Sequence, residues 1–242
     1  MDKIIVEVGS TCTKVDRYNG EKIEKLEGKT IQLKKHYNEN KKLKEEDVKT
    51  LIQSINELTV FGATRFVNDK ACVFVGGGGS TEIAMYNKEI KESCNTKIGV
   101  IDVMQEFPDL AEDLATTDLE MVKTFIKKRL NLPKEKADIL ILAGGGHEKF
   151  ARKSGIKYEK NILYEDMYSP IMMDIETRKN ETERYFKSIS LDKIKNKEKD
   201  PDWWYATRAM CAFSLVVAEE IGAKYIIPTD IAMVYGILEK LK

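Results

Sequence analysis

Val73-Phe74-Val75-Gly76-Gly77-Gly78-Gly79-Ser80-Thr81-Glu82-Ile83 is the stretch from which the rest of the chain can be read. An apolar strand runs into four glycines, then two hydroxyls and a carboxylate, then apolar residues again. Consecutive glycines surrender much backbone entropy on folding, which suits a turn with positive φ or a close approach of the backbone to something else. Successive exposed N–H groups beside Ser80 and Thr81 make an anion-binding concavity, and phosphate is its usual occupant. Glu82, just past the turn, would stand beside that anion as a base or as a holder of metal-bound water. A polar-tipped glycine hairpin with no ligand is the plain alternative.

Two other places repeat the pattern of a strand opening into glycine. Ile4 to Val8 leads into Gly9-Ser10-Thr11-Cys12-Thr13-Lys14 and then Val15 to Tyr18, which reads as strand, tight turn and strand. Lys14 could meet an anion as a point charge, and Glu7 is close enough in sequence to look into the same turn. The third case is Ile139-Leu140-Ile141-Leu142, a run apolar enough to be a strand buried on both faces. It opens into Ala143-Gly144-Gly145-Gly146-His147-Glu148. One such turn is weak as a signal, because hairpins commonly carry glycine; three together are a pattern.

The chain has 242 residues, 42% of them hydrophobic, with only 5 prolines, so an ordered globular protein of one large or two small domains is expected. Forty basic and forty acidic residues cancel, and no global field favours nucleic acid or an anionic membrane. Four cysteines without CxxC spacing read as reduced thiols, and two histidines make a zinc site a poor reading. With no signal peptide and no membrane-length apolar run, a cytoplasmic location is expected.

The remaining elements follow from periodicity and caps. Glu45 to Leu58 has helical apolar spacing, and Thr59 to Thr64 reads as a strand ending near Arg65. The junction of two lobes is placed at Phe66 to Ala71. Strands are expected over Ile83 to Tyr86, Glu89 to Ser93 and Lys97 to Val100, with a tight turn at Asn87-Lys88. Asp118 caps a helix to Leu130, helices follow over Asn180 to Ile189 and Leu191 to Lys199, and a buried one covers Trp203 to Ile221, stopped by Gly222. Lys224 to Ile227 is the last strand, and Thr229 or Asp230 caps a final helix. The basic run Lys193 to Lys199 lacks interleaved aromatics and is taken as solvated surface.

Taken together these residues resemble the exopolyphosphatase and guanosine-pentaphosphate phosphohydrolase (Ppx/GppA) family, within the actin-like ATPase superfamily. The family's Asp-x-Gly-Ser turn is matched by Glu7-Val8-Gly9-Ser10, and its Gly-Thr-x-x-x-Arg stretch is echoed by Gly62-Ala63-Thr64-Arg65. Its Asp-x-Gly-Gly-Gly-Ser-Thr-Glu signature is matched by Gly77-Gly78-Gly79-Ser80-Thr81-Glu82, and a later glycine turn falls on Gly144-Gly145-Gly146-His147. Order and spacing hold from Ile4 to Leu241. Three acids differ: Val75 stands for the Asp before the glycines, Glu7 for the first-turn Asp, and Met210 for the acid of an Arg-Ala-Asp stretch. A helix, a strand and an acidic motif that the family carries after Arg65 have no counterpart.

The resemblance implies an α/β protein of two ribonuclease H-like lobes with a cleft between them. The first lobe, residues 1–68, is reduced; the second, 69–242, has a mixed five-stranded sheet, and residues 230–242 pack back on the first. It further implies that polyphosphate or a phosphorylated nucleotide is hydrolysed at a phosphoanhydride bond by water, and it admits a homodimer. Gly9, Ser10, Thr11, Thr13, Lys14, Gly77, Gly78, Gly79, Ser80, Thr81, Gly144, Gly145 and Gly146 would hold phosphates, with Arg65 a further candidate. Glu7 would hold Mg²⁺ through waters, and Glu82 would orient or deprotonate the attacking water. A nucleotide-binding ATPase switch and a non-catalytic sensor of polyphosphate or an alarmone are the alternatives.

Overall fold

The computed structural model describes the backbone of residues 3–8, 12–18 and 23–30, and residues 70–144, 147, 151, 171–188, 190–192 and 204–229 with their side chains. Strands β1 (Lys3–Val8), β2 (Cys12–Tyr18) and β3 (Ile23–Thr30) form an antiparallel sheet in that order. Val8 pairs with Thr13 and Glu7 with Lys14, as the strand–turn–strand reading requires. Gly9, Ser10, Thr11 and Arg65, the expected helix and strand over 45–64, the junction up to residue 69, and the helix from residue 230 lie outside the described residues.

The glycine stretch belongs to a second sheet. Strands β4 (Ala71–Gly76) and β5 (Thr81–Asn87) pair antiparallel with Gly76 opposite Thr81, so residues 77–80 are a hairpin connection. β6 (Glu89–Thr96) continues the meander after Lys88, which sits at φ +63°. Lys97 to Val100 is not the expected strand. The chain leaves the sheet and enters helix α1 (Val100–Glu106), because the Asp102 carboxylate accepts the Gly99 N–H at 2.8 Å and caps a helical turn.

Three longer helices follow among the described residues. In α2 (Leu119–Lys127) the Asp118 side chain caps as expected, accepting the Glu120 N–H at 2.7 Å. α3 (Ile175–Lys187) starts ahead of the expected Asn180, because Asp174 caps it through the Thr177 N–H at 2.6 Å. α4 (Thr207–Ile221) begins after the expected Trp203 and ends where Gly222 adopts φ +75°, the left-handed stop that glycine accepts without strain.

Strand β7 (Ile139–Ala143) runs parallel to β4, and β9 (Tyr225–Pro228) runs parallel to β7. The two-residue β8 (Met173–Asp174) edges the sheet, giving the order β6-β5-β4-β7-β9-β8. The mixed sheet expected for this lobe is therefore present, with one strand more than the five anticipated. β7 is apolar throughout because both its faces are covered: Leu140 and Leu142 join the core beneath the helices, and Ile139, Ile141 and Ala143 join a second cluster with Val73 and Ile227. Each fully buried side chain of this size contributes about 1.5–3 kcal/mol.

One buried cation braces the helical layer. Arg208, wholly inaccessible, donates to four backbone carbonyls: Tyr185 (2.7 Å), Leu110 (3.1 Å), Glu112 (2.7 Å) and Asp113 (2.8 Å). It ties α4 to the end of α3 and to the 3₁₀ turn Pro108–Ala111 and the residues after it.

Candidate functional site

Parallel strands place their carboxyl ends at one edge of a sheet, and in open α/β folds that edge is where ligands bind. Here the edge is formed by β4, β7 and β9. The register sets Val75 beside Ala143 and Leu142 beside Pro228. The two glycine turns at residues 77–80 and 144 therefore emerge from adjacent strands. Thr229, considered as a cap for a final helix, is buried here and donates both its N–H (3.0 Å) and its hydroxyl (2.8 Å) to the Leu142 carbonyl.

The Gly77–Ser80 turn is closed by one internal bond, from the Gly77 N–H to the Ser80 carbonyl at 2.9 Å. Its carbonyls are also occupied. Gly77 O accepts the Val100 N–H at 3.1 Å, and Gly78 O accepts the Ile101 N–H at 3.0 Å. The N–H groups of Gly78, Gly79 and Ser80 have no partner among the described residues. Thr81 is buried, and its hydroxyl donates to the Ile98 carbonyl at 2.7 Å. While that bond stands, Thr81 Oγ1 has lone pairs to offer but no proton, so it cannot donate to an anion.

Glu82 is only 7% exposed, although it lies just past a polar turn. It pairs with Val75 on β4 and Asn95 on β6, on the sheet face that also carries Val73 and Ala143. A solvated polar cap would not be buried in this way. Two apolar groups close the turn's surroundings. A Cβ at Gly144, which holds φ +95°, would fall 2.8 Å from Val75 Cγ1, so the valine fills the space above that glycine. A Cβ at Gly76 would fall 2.8 Å from Met210 Sδ and Cε. Of the three positions that differ from the family's acids, Val75 and Met210 thus abut glycines at this edge.

No family model matches the chain, and no curated protein matches it. Solved structures do. The Ppx/GppA family member from Aquifex aeolicus superposes with a TM-score of 0.67 at 15% identity, covering 100% of this chain and 97% of that one. An exopolyphosphatase from Cytophaga hutchinsonii gives 0.62 at 12% identity, covering 100% and 97%. An exopolyphosphatase-like protein gives 0.64 at 10% identity, covering 100% and 98%. The chain has the Ppx/GppA fold.

Within the Ppx/GppA fold of this chain, the structure brings Gly77, Gly78, Gly79, Ser80, Thr81, Glu82 and Gly144 to one edge of the second sheet. Glu7, Thr13 and Lys14 are placed as backbone on paired strands of the first sheet. Gly145 and Gly146, like Gly9, Ser10, Thr11 and Arg65, lie outside the described residues. His147 is buried, its ring edge-on to Phe74 with centroids 6.5 Å apart. Gly99 was not anticipated. It is buried against the glycine turn, and the Gly-x-x-Asp spacing of a helix start was the only local sign of it. Among the described residues no group of three or more His, Cys, Asp or Glu could hold a metal ion, and no helix is long and apolar enough to cross a membrane.

Proposed function

We propose that this protein is a phosphohydrolase acting on phosphoanhydride bonds, with polyphosphate or a phosphorylated nucleotide as substrate. The observation that carries the reading is the Gly77–Ser80 turn, where three backbone N–H groups lie two to four residues from a buried carboxylate, Glu82. N–H groups without backbone partners suit phosphate oxygens, and a nearby shielded carboxylate suits the activation of water. In this reading Gly9 to Lys14 of the first sheet hold the adjacent phosphate across a cleft.

Glu82 accepts a proton from the attacking water as its oxygen bonds to the terminal phosphorus. The bridging P–O bond breaks, and its electron pair leaves with the shortened chain or nucleotide. The turn's N–H groups meet the charge that gathers on the terminal oxygens, and such positioning and charge stabilisation are most of what phosphoryl transfer asks of a protein. Val75 and Met210 bring no oxygen donor to this edge, so of the acids that the family resemblance matches, Glu82 and Glu7 remain. That small donor set fits a magnesium ion that arrives with its phosphate, since one or two carboxylates suffice for it. Bound there, Mg²⁺ would supply neutralisation of phosphate charge.

The test is Glu82→Gln, assayed for phosphate release from polyphosphate, guanosine pentaphosphate and ATP with Mg²⁺. Release is expected to vanish while binding persists, because the amide keeps the shape and loses the basic site. An unchanged rate removes Glu82 from the chemistry. A second reading, a non-catalytic binder of the same ligands, is favoured by the alkyl and thioether groups of Val75 and Met210 beside the glycines. It prevails if the unaltered protein binds but releases no phosphate.

A further inference from the structure

The contact between Gly99 and the glycine turn has a geometry that bears on how the turn is aimed. The Gly77 carbonyl shares its peptide plane with the Gly78 N–H, and the Gly78 carbonyl shares its plane with the Gly79 N–H. In a trans peptide the N–H points opposite to the C=O, and no cis peptide occurs among the described residues. Both carbonyls are held by the N–H groups of Val100 and Ile101, at 3.1 and 3.0 Å. The Gly78 and Gly79 N–H groups are therefore turned away from α1. A hydrogen bond accepted by a carbonyl also polarises its peptide and strengthens the N–H on the other side as a donor.

This arrangement needs an empty space at Gly99. A Cβ there would lie 2.4 Å from the Gly78 carbonyl carbon and 2.5 Å from the oxygens of both Gly77 and Gly78. These are backbone atoms, which cannot swing aside as a side-chain end does. The Gly99 backbone itself is extended, at φ −139°, and any residue could adopt it. Space, not conformation, selects glycine. The Asp102 carboxylate fixes Gly99 in turn by accepting its N–H at 2.8 Å.

We propose that Gly99 is a positioning residue for anion binding: by letting Val100 and Ile101 grip the Gly77 and Gly78 carbonyls, it aims and polarises the Gly78 and Gly79 N–H pair, without touching the anion itself. The inference rests on the reading of the turn as a phosphate site. It extends that site to a residue 21 positions from Gly78 in sequence, one that the turn's own residues do not reveal.

The experiment is a titration of the full chain with sodium tripolyphosphate, followed by calorimetry and by the amide ¹H–¹⁵N shifts of Gly78 and Gly79, in the unaltered protein and in Gly99→Ala. The unaltered protein is expected to bind, with both amides moving. Gly99→Ala, shown to be folded by a cooperative melt, is expected to bind about tenfold more weakly, the equivalent of the two reorganised hydrogen bonds, with shifts at the two amides reduced. A purely structural role would lower the melting temperature and leave the affinity and shifts of the folded protein intact. If Gly99→Ala does not fold, Asp102→Ala loosens the same contact, and a weaker affinity with altered shifts at the same two amides is expected. Movement in the unaltered protein with no change in the folded variant overturns the role of Gly99 alone. No movement of either amide in the unaltered protein overturns the phosphate reading of the turn as well.

Discussion

Val75 and Glu82 stand directly opposite each other on β4 and β5, with their side chains on the same face of the sheet. Opposed residues on antiparallel strands interact through their side chains, and like charges there are destabilising. Val75→Asp would set a second carboxylate against Glu82. The expected outcome is a loss of about 1 kcal/mol or more in metal-free buffer, read as a fall of about 2–4 °C in melting temperature. Adding Mg²⁺ is expected to restore part of it, because a cation held between the two acids removes their repulsion. Calorimetry with and without Mg²⁺ checks this; an identical fall in both would mean that the two positions share no cation.

Arg208 is the second target. Its removal leaves the buried carbonyls of Tyr185 and Leu110, and the part-buried ones of Glu112 and Asp113, without the guanidinium that serves them. Arg208→Ala is expected to cost about 3–5 kcal/mol in urea unfolding, well beyond a surface substitution. Lysine, with a compact ammonium in place of a planar fork, should recover only a minority of the loss.

Arg178 and Glu181 form a buried ion pair at 2.9 Å, their side chains 3% and 1% exposed. Arg178 Nη2 also donates to Ser214 at 2.6 Å, but Arg178 Nε and Glu181 Oε1 have no hydrogen-bond partner among the described residues. An incompletely satisfied pair recovers its desolvation penalty poorly. Arg178→Met alone is expected to destabilise by about 3–5 kcal/mol, whereas Arg178→Met with Glu181→Leu should come back to within about 1 kcal/mol of the starting stability. Equal losses in the single and double variants would show that the pair's own charges matter less than the packing around them.

Asp109 predicts a pH dependence. Burial works to raise its carboxyl pKa, but hydrogen bonds from Thr117 and Thr116 outweigh it and hold the value down at about 2. A carboxyl depressed in the folded state adds stability that is complete above the unfolded value and is lost as pH falls through the folded one. The Asp109 contribution should thus fade between about pH 4 and pH 2. Asp109→Asn is expected to lower stability at pH 7 and to flatten that acid limb in melts taken at stepped pH.

What was legible in the sequence follows the range of the forces involved. Asp118, Gly222 and the run Ile139 to Leu142 act within a few residues of themselves, and the start of α2, the end of α4 and β7 stood where those residues put them, whereas α2 stops at Lys127, short of the expected Leu130. α1 was missed because seven residues are too few to display a period, and its start depends on the Asp102 carboxylate reaching back to Gly99. The short β8 exists only because β9 is beside it. The site divides in the same way. Glycines followed by hydroxyls announced the turn, and the apolar run before Gly144 announced its neighbour. That Gly99 lies against Gly78, that Met210 lies against Gly76 and that the Thr81 hydroxyl is spent on Ile98 are products of tertiary packing, for which no local pattern exists.

The four bonds of Arg208 also have a consequence in time. They join points 98 and 23 residues away along the chain, so they close only after α3, α4 and the residues around the 3₁₀ turn have come together. Contacts between distant parts of a chain carry a large loop-closure entropy and tend to form late on the folding route. A bond made after the rate-limiting step leaves the folding rate alone and slows the escape from the native state. Arg208 is therefore expected to act as a latch: without it the protein should refold at nearly its usual speed but open sooner, becoming short-lived before it becomes unfolded.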